Sequence, residues 1–241
     1  MLKTILAFGL TILTIILFTP FGFIAFLLSL MGLKKPTAWV MYKIAQYWAR
    51  GIIAITGCSM EVEGRENIPK KGGVCFVSNH VGIFDIILAL AFIGHPFGFI
   101  AKRELLFLPF INIWIVILGG LFIDRIKIRR AITTINAGIK RIQNGECMLI
   151  FPEGTRSKGR GLLPFRSGAI KLATSSLAPI VPIAITGSYD VFEKDYRVHG
   201  VPVRMVFCAP INTSEMSSED RRRLLADEVR SIIEAALNRQ S

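Results

Sequence analysis

The feature that most limits what this chain folds into is a run from Thr4 to Leu33 without a charged residue. Most of the run is Ile, Leu, Phe and Ala, and a helix needs about 20 such residues to cross the hydrocarbon core of a bilayer. A helix buried in a soluble protein normally keeps a polar stripe, so a core helix is the less favoured explanation. We therefore predict that residues 4–33 lie in or on a membrane.

Pro20 and Gly22 stand near the middle of this run. Because proline removes a backbone N–H and clashes with the preceding turn, we predict that the helix breaks here into a re-entrant helical hairpin. A cleaved signal peptide fits poorly, since its apolar core is only about 7–15 residues long and no A-x-A site closes the run. The residues leave open whether the segment spans the bilayer or re-enters it.

The next helical pattern has polar residues on one side, namely Lys43, Gln46 and Arg50. Aromatic residues accompany them: Trp39, Tyr47 and Trp48. Two explanations stand side by side: a helix lying in the headgroup layer, or an amphipathic helix packed on the following domain. The excess of Lys and Arg after the apolar run predicts that this domain lies on the cytoplasmic side of the inner membrane. We predict a membrane-associated segment over residues 1–56.

From residue 57 onward, short apolar runs bounded by Gly, Pro or polar residues alternate with helical patterns. This alternation predicts an α/β domain over residues 57–241, with a mixed sheet flanked by helices. The predicted strands are Val74–Val77, Phe97–Ala101, Leu121–Ile123, Cys147–Phe151, Ile180–Ile185 and Val203–Phe207. The predicted helices are Phe84–Phe92, Arg130–Ile142 and Ser167–Ser176. A last helix begins near Ser217 and Asp220. Its apolar face is formed by Leu224, Leu225, Val229, Ile232, Ile233 and Leu237.

Composition excludes several classes of protein. A hydrophobic content of 52% with only 19% charged residues excludes a disordered tail. The net charge of +12 suits an anionic partner, but no basic recognition helix or aromatic sheet motif supports nucleic-acid binding. The cysteines show no C-x-x-C or metal-ligand spacing, so we expect reduced thiols and no metal. They are Cys58, Cys75, Cys147 and Cys208.

One of only three histidines, His80, directly follows an apolar strand and precedes Asp85 by five positions. On one ideal helix these residues would be about 500° apart, but they meet if His80 lies in a turn and Asp85 in the first helical turn. Asp85 would then orient the imidazole, and the other ring nitrogen would be free to take a proton. A bare His-x4-Asp pattern is common, so a loop histidine with an ordinary helix carboxylate is the alternative.

A second motif, Phe151 to Ser157, follows another predicted strand. Gly154 would let the backbone approach a ligand, and Arg156 would grip a phosphate through two parallel hydrogen bonds. Glu153 would orient that guanidinium or contact a substrate hydroxyl. Further basic residues, which solvated charge explains in most cases, surround the motif: Arg125, Lys127, Arg129, Arg130, Lys158, Arg160, Arg166 and Lys171.

These motifs together resemble those of the glycerolipid acyltransferases, and most closely of the bacterial 1-acyl-sn-glycerol-3-phosphate acyltransferases. Four blocks appear in the family's order over about residues 60–190. They are Asn79-His80-x4-Asp85, then Lys102-x-Glu104-Leu105 with Pro109 and Gly120-Leu121-Phe122-Ile123-Asp124-Arg125, then Phe151-Pro152-Glu153-Gly154-Thr155-Arg156, and finally Val181-Pro182-Ile183.

The resemblance implies transfer of a fatty acyl group from acyl-carrier protein or acyl-CoA to the sn-2 hydroxyl of lysophosphatidic acid, giving phosphatidic acid. It implies no cofactor beyond this thioester co-substrate. His80 falls at the position of the catalytic base and Asp85 at that of its partner. The fourth block, Val181-Pro182-Ile183, falls where residues serve acyl-chain or structural packing. The positions of acceptor-binding residues are taken by Lys102, Arg125, Glu153, Gly154, Thr155 and Arg156.

Two residues depart from the family pattern. Gly82 stands where many members have Ser, and Asn112 stands where Gly is common. Neither position is needed for proton transfer. Both departures leave the identity of the acceptor substrate open, and glycerol-3-phosphate or another lysophospholipid is the alternative to lysophosphatidic acid. A non-catalytic membrane lipid-binding protein is the alternative of a different class. For an enzyme, we expect backbone N–H groups near the helix after His80 to stabilise the oxyanion.

Overall fold

Seven strands form one mixed sheet in the computed structural model, which describes residues 1–214, 216–223 and 225–239. The strands are β1 (Ser59–Glu63), β2 (Cys75–Ser78), β3 (Phe97–Lys102), β4 (Leu121–Ile123), β5 (Cys147–Ile150), β6 (Ile180–Thr186) and β7 (Pro202–Phe207). Their order in the sheet is β1-β7-β6-β2-β5-β3-β4. Neighbouring strands are parallel except β6 and β7, which are antiparallel. The predicted fold class is confirmed.

Helices cover both faces of this sheet. They are α1 (Leu2–Leu28), α2 (Lys34–Thr56), α3 (Phe84–Phe92), α4 (Ile111–Ile117), α5 (Ile128–Gln143), α6 (Ser167–Ser175), α7 (Ser218–Arg223) and α8 (Leu225–Asn238). Helices α2 and α3 contribute to the core on one face, and α5, α6 and α8 contribute to the core on the other. Because the central strands are covered on both faces, β2 and β5 are buried throughout.

The three predicted helices and six predicted strands of the domain are present, with ends that shift by no more than two residues. Strand β1 and helix α4 were not predicted from the sequence. The predicted C-terminal helix is described as α7 and α8, on either side of position 224, and the Ser217 hydroxyl accepts a hydrogen bond from the Asp220 N–H at 3.1 Å. Leu225, Val229 and Ile233 are buried as predicted, whereas Leu224 lies outside the described residues.

The predicted break at Pro20 and Gly22 is wrong, because α1 continues through both residues. The chain turns instead at Ser29–Leu33, where Gly32 has a φ of 92°. An added Cβ at Gly22 would lie 2.5 Å from Cδ1 of Ile117, so this glycine permits close packing between α1 and α4. A helix tolerates a single proline where its other backbone hydrogen bonds remain satisfied.

Helix α2 packs on α3, as one of the two explanations predicts, and its placement in the headgroup layer stays a prediction. Two of its polar side chains, Gln46 and Arg50, reach the carboxyl end of α3, while Lys43 is exposed. Gln46 Nε2 and Arg50 Nε each donate to the Ala91 carbonyl at 3.3 Å. Tyr42, which is buried, donates through its hydroxyl to the Leu90 carbonyl. The last carbonyls of α3, which have no partner within the helix, are thereby satisfied.

Helices α1 and α2 form an antiparallel hairpin that lies along the domain. Trp48 Nε1 donates to the Thr14 hydroxyl at 2.9 Å and joins the two helices. At one end of the hairpin, the rings of Phe8 and Phe192 are 4.6 Å apart. At the other end, Lys34 Nζ pairs with Glu146 at 2.6 Å. Both ends of the hairpin therefore contact the α/β domain, and the boundary at residue 56 stays a prediction.

The surface of α1 is apolar nearly all round. Of its described side chains only Ala7 and Ala25 are buried, while large residues such as Leu17 and Phe21 are more than half exposed. Among the described residues, Lys3–Thr56 is the one helical stretch long and apolar enough to cross a membrane. So much exposed apolar surface on one helix is typical of membrane association.

Candidate active site

The end of β2 places His80 at the carboxyl edge of the sheet. Asn79 ties this end of the strand to β6, because its side chain donates to the Ile185 carbonyl at 2.9 Å and accepts from the Ile185 N–H at 2.8 Å. His80 follows in the turn, and Asp85 lies in the first turn of α3. Nδ1 of His80 lies 2.7 Å from Oδ2 of Asp85, which is the contact that sequence analysis required.

Asp85 is fully buried and accepts four hydrogen bonds. Besides the imidazole, its Oδ2 accepts from the N–H groups of Val81 and Gly82 at 2.7 and 3.0 Å. Its Oδ1 accepts from the hydroxyl of Ser188, which stands just after β6. Because Asp85 accepts at every bond, Nδ1 of His80 carries a proton toward it, and the neutral imidazole then keeps a lone pair on Nε2.

The imidazole of His80 faces a cavity of about 600 Å³. The ring stacks on Phe151, with centroids 4.0 Å apart and planes 18° apart, and 18% of the side chain is exposed. No group in the described part of the chain hydrogen bonds to Nε2. The ring is thus oriented on one side by Asp85 and held on its face by Phe151, and Nε2 is available to a molecule in the cavity.

The Phe151–Ser157 motif meets the His80 turn because β2 and β5 are neighbouring parallel strands, whose carboxyl ends share one edge of the sheet. The N–H of Ser157 donates to the His80 carbonyl at 2.7 Å. The N–H of Lys158 donates to the Val81 carbonyl at 3.0 Å. Two motifs separated by about 70 residues along the chain thereby form one site.

Glu153 does not contact Arg156, and it does not line the cavity. It is 2% exposed; Oε1 accepts from the His80 N–H at 2.6 Å, and Oε2 accepts from the Leu163 N–H at 3.0 Å. Burial raises the pKa of this carboxyl, and the hydrogen bonds from the two N–H groups oppose the rise. Glu153 therefore differs from the expectation of a substrate contact, since its oxygens accept from the backbone of the His80 turn and of Leu163.

Arg156 lines the cavity and pairs with Glu193, with Nη1 and Oε1 2.5 Å apart. The other oxygen of Glu193 accepts from the N–H of Ile83 at the start of α3. Sequence analysis missed Glu193 and Ser188. Both follow β6, more than 100 residues after the His80 motif, and no local pattern marks either of them.

The cavity brings together five of the predicted acceptor-binding residues with His80. They are Lys102, Arg125, Gly154, Thr155 and Arg156. Arg166 lines the same cavity, and neither it nor Arg125 forms a salt bridge with any described residue. Lys102 pairs with Glu104 at 3.1 Å. The remaining wall is mostly apolar, including Ile86, Leu105, Ile128 and Ile132.

Arg125 and Arg166 make one part of the cavity strongly electropositive. Burial and then the neighbouring charge of Arg166 lower the pKa of the Arg125 guanidinium. The nearby Glu104 carboxylate opposes this shift. Two like charges that share one cavity favour an anion between them. An added Cβ at Gly154, whose φ is 67°, would lie 2.8 Å from Arg166. The close approach that this glycine permits is to the Arg166 side chain.

The backbone N–H groups directly after His80 are already engaged. Those of Val81 and Gly82 donate to Asp85, and that of Ile83 donates to Glu193. The expected use of these groups as oxyanion donors is therefore not supported, because each would have to leave a carboxylate first. Val181-Pro182-Ile183 lies in β6 against β2 and is buried, as the predicted packing role requires.

Known proteins resemble this chain in sequence and structure. Residues 59–186 match the profile of the family described as Acyltransferase. The 1-acyl-sn-glycerol-3-phosphate acyltransferase of Borreliella burgdorferi is 35% identical over 141 residues, which cover 58% of this chain and 56% of that protein. The Escherichia coli protein of the same name is 31% identical over 179 residues, 74% of this chain and 72% of that protein.

The hairpin and domain together also have a solved counterpart. The crystal structure of the 1-acyl-sn-glycerophosphate acyltransferase PlsC from Thermotoga maritima superposes with a TM-score of 0.84 and 27% sequence identity. The superposition covers 100% of this chain and 97% of that one. The likeness therefore includes helices α1 and α2 as well as the sheet.

Proposed function

This chain belongs to the acyltransferase family, and we propose that it transfers a fatty acyl group from a thioester to the sn-2 hydroxyl of 1-acyl-sn-glycerol-3-phosphate, giving phosphatidic acid. The names of its relatives support this acceptor. The observation that carries the proposal is the free Nε2 of His80, oriented by Asp85 in a cavity that also holds Arg125 and Arg166, which form no salt bridge with a described residue. A scaffold that only binds lipid has no use for an oriented base.

His80 acts as the general base in this proposal, because an alcohol is a poor nucleophile at neutral pH. Nε2 takes the proton of the sn-2 hydroxyl while its oxygen attacks the thioester carbonyl. The buried carboxylate of Asp85 stabilises the resulting imidazolium. The tetrahedral intermediate collapses with cleavage of the carbon–sulfur bond, and the imidazolium returns the proton to the leaving sulfur. No acyl group is attached to the protein at any step.

The cavity suits an acceptor with a phosphate and a fatty chain. Arg125, Arg166 and Arg156 offer N–H groups to the phosphate, and guanidinium groups bind phosphate through paired hydrogen bonds. The apolar wall formed by α3, α5 and neighbouring residues suits an acyl chain. We propose acyl-carrier protein or acyl-CoA as the donor and no further cofactor.

Acyl transfer by the purified full-length protein in vesicles tests this function. The thioester donor is offered with lysophosphatidic acid, glycerol-3-phosphate or another lysophospholipid as parallel acceptors. We expect lysophosphatidic acid to give the highest kcat/KM. Preference for another acceptor would change the substrate assignment. The absence of transfer to every acceptor, with vesicle binding retained, would favour the non-catalytic lipid-binding alternative.

We also propose that the hairpin lies within one leaflet of the cytoplasmic membrane and that the active site faces the cytoplasm. Contacts between the domain and both ends of the hairpin support this orientation, because a hairpin that crossed the bilayer would carry one end away from the domain. The exposed apolar surface of α1 supplies the contact with the hydrocarbon. The exposed Lys35 at the turn suits anionic headgroups.

Charges placed on α1 should release the protein from membranes. Leu17 and Phe21 are 58% exposed and lie one turn apart on the same face. Because a charge within the hydrocarbon costs about 2.5–3.5 kcal/mol, we expect Leu17→Asp with Phe21→Asp to lower the vesicle-bound fraction severely in flotation. The control, Gln143→Glu with Asn144→Asp, adds the same charge at exposed sites and should stay bound. Equal binding by both variants would contradict the role of α1.

Removal of Arg125 should weaken acceptor binding more than it slows turnover. Because hydrogen bonds to a charged group contribute about 1.5–3 kcal/mol, we expect Arg125→Ala to raise the KM for lysophosphatidic acid about tenfold or more. Steady-state kinetics with varied acceptor measure this change. Arg129→Ala is the matched control, because Arg129 does not line the cavity. An unchanged acceptor KM in Arg125→Ala would remove Arg125 from the phosphate site.

A further inference from the structure

Gly82, which departs from the family pattern, is not required by its own backbone conformation. Its φ is outside the left-handed region that favours glycine. Neighbouring atoms leave too little room for a side chain at Gly82. An added Cβ would lie 2.7 Å from Oε2 of Glu193 and 3.2 Å from Cα of Tyr189. The carboxylate of Glu193, which ends a flexible side chain, thus occupies the space that a side chain at position 82 would take.

Glu193 uses this space to join two parts of the active site. Its side chain is 11% exposed. One oxygen pairs with Nη1 of Arg156 at 2.5 Å, and the other accepts from the N–H of Ile83 at the start of α3. The Arg156 guanidinium is therefore held at a defined distance from the turn that carries His80.

We propose that Glu193 is a positioning residue that orients Arg156 for the phosphate of the acceptor, and that Gly82 is present because any larger residue would displace the Glu193 carboxylate. This inference rests on the proposed function. The guanidinium has five N–H donors, and Glu193 engages a donor on Nη1 while leaving others for a ligand. Arg156 is 41% exposed in the cavity, so without Glu193 its side chain has many more rotamers available.

Ser188 and Glu193 come from the same segment between β6 and β7. Ser188 binds Asp85, and Glu193 binds Ile83 and Arg156. One segment thus supports both the orientation of the base and the position of a phosphate-binding guanidinium. Because Asp85 keeps its own four hydrogen bonds without Glu193, loss of Glu193 should affect acceptor binding more than turnover.

Kinetics separate this positioning role from a structural one. We expect Glu193→Ala and the isosteric Glu193→Gln to raise the KM for lysophosphatidic acid roughly tenfold, with kcat changed less than about threefold. In an Arg156→Ala background, Glu193→Ala should cause little further rise in KM. Asp190→Ala, which removes a surface carboxylate of the same segment, should leave KM unchanged. A fall in kcat without a change in KM, or additive effects with Arg156→Ala, would overturn the proposal.

Thermal unfolding tests the contact between Gly82 and Glu193 without an activity assay. We expect Gly82→Ala to lower the Tm in the wild-type background and to lower it distinctly less in the Glu193→Ala background, where the space is free. Gly51→Ala, with nothing within 4 Å of the added Cβ, is the matched control and should not lower the Tm. Equal losses in both backgrounds would overturn the account of Gly82. If the wild type does not acylate lysophosphatidic acid while this coupling is present, the proposed function fails and the Gly82–Glu193 contact stands.

Discussion

Replacement of His80 by alanine should lower kcat for acyl transfer by about 10²–10⁴-fold. Without the imidazole, nothing in the described cavity takes the proton of the attacking hydroxyl while being oriented by a buried carboxylate. The ring occupies a turn at the cavity wall, and the turn is held through its backbone by Glu153 and Ser157. We therefore expect the variant to fold and to bind vesicles like the wild type.

The control for this variant is His199→Ala. His199 pairs with Asp195 on the surface, with 44% of its side chain exposed, and it does not line the cavity. Its replacement should leave kcat within about twofold of the wild-type value, because the side chain lies outside the cavity. The fold should also be retained, since surface substitutions of this kind change stability by less than about 0.5 kcal/mol. Near-wild-type transfer by His80→Ala, with the protein bound to vesicles, would exclude the general-base mechanism.

Replacement of Asp85 by asparagine should reduce kcat by about 10²–10⁴-fold and also lower the Tm. The asparagine amide has the same shape, but its NH₂ group donates where the carboxylate accepted. At least one of the four donors around Asp85 then loses its acceptor in a fully buried site, which costs about 1–3 kcal/mol of unfolding free energy. The imidazole also loses the group that fixes its tautomer and stabilises its charge.

Transfer rates and thermal melting, measured on the same preparations, separate the two effects of Asp85→Asn. Ser188→Ala removes a single donor from the same carboxylate and leaves the imidazole contact in place. It should therefore lower the Tm modestly and change kcat by less than about tenfold. If Asp85→Asn and Ser188→Ala had equal kcat values, the His80–Asp85 contact would have no role in proton transfer.

The strands and helices that sequence analysis predicted share a strong local signal. Apolar runs such as Cys147–Ile150 are buried on both faces of the sheet, so their composition alone marks them as strands. The missed strand, Ser59–Glu63, lies at the sheet edge and is formed by pairing with Pro202–Phe207, about 140 residues later. The missed helix, Ile111–Ile117, is short and apolar. In such a run the pattern of apolar and polar residues does not distinguish a helix from a strand.

The break expected at Pro20 shows how packing overrides a local signal. Proline disfavours the interior of an isolated helix, but Gly22 allows α1 to pack against Ile117, and the helix is continuous there. The turn forms at Gly32, where the backbone has a positive φ. In the same way, Gln46 and Arg50 have the spacing of a solvated helix face, yet they bind the end of α3.

The sequence by itself determined the class of fold, the apolar N-terminal segment and the four blocks, three of which contain His80, Asp85, Arg125 and Arg156. These features depend on residue type and short spacing, which are local properties of the chain. Only the tertiary structure decided what each polar group binds. Glu153 supports the His80 backbone, Glu193 holds Arg156, and Ser188 binds Asp85. The reason is physical: the parallel strands β2, β5 and β6 bring loops distant in sequence to one edge of the sheet, where buried carboxylates take the nearest N–H and O–H donors.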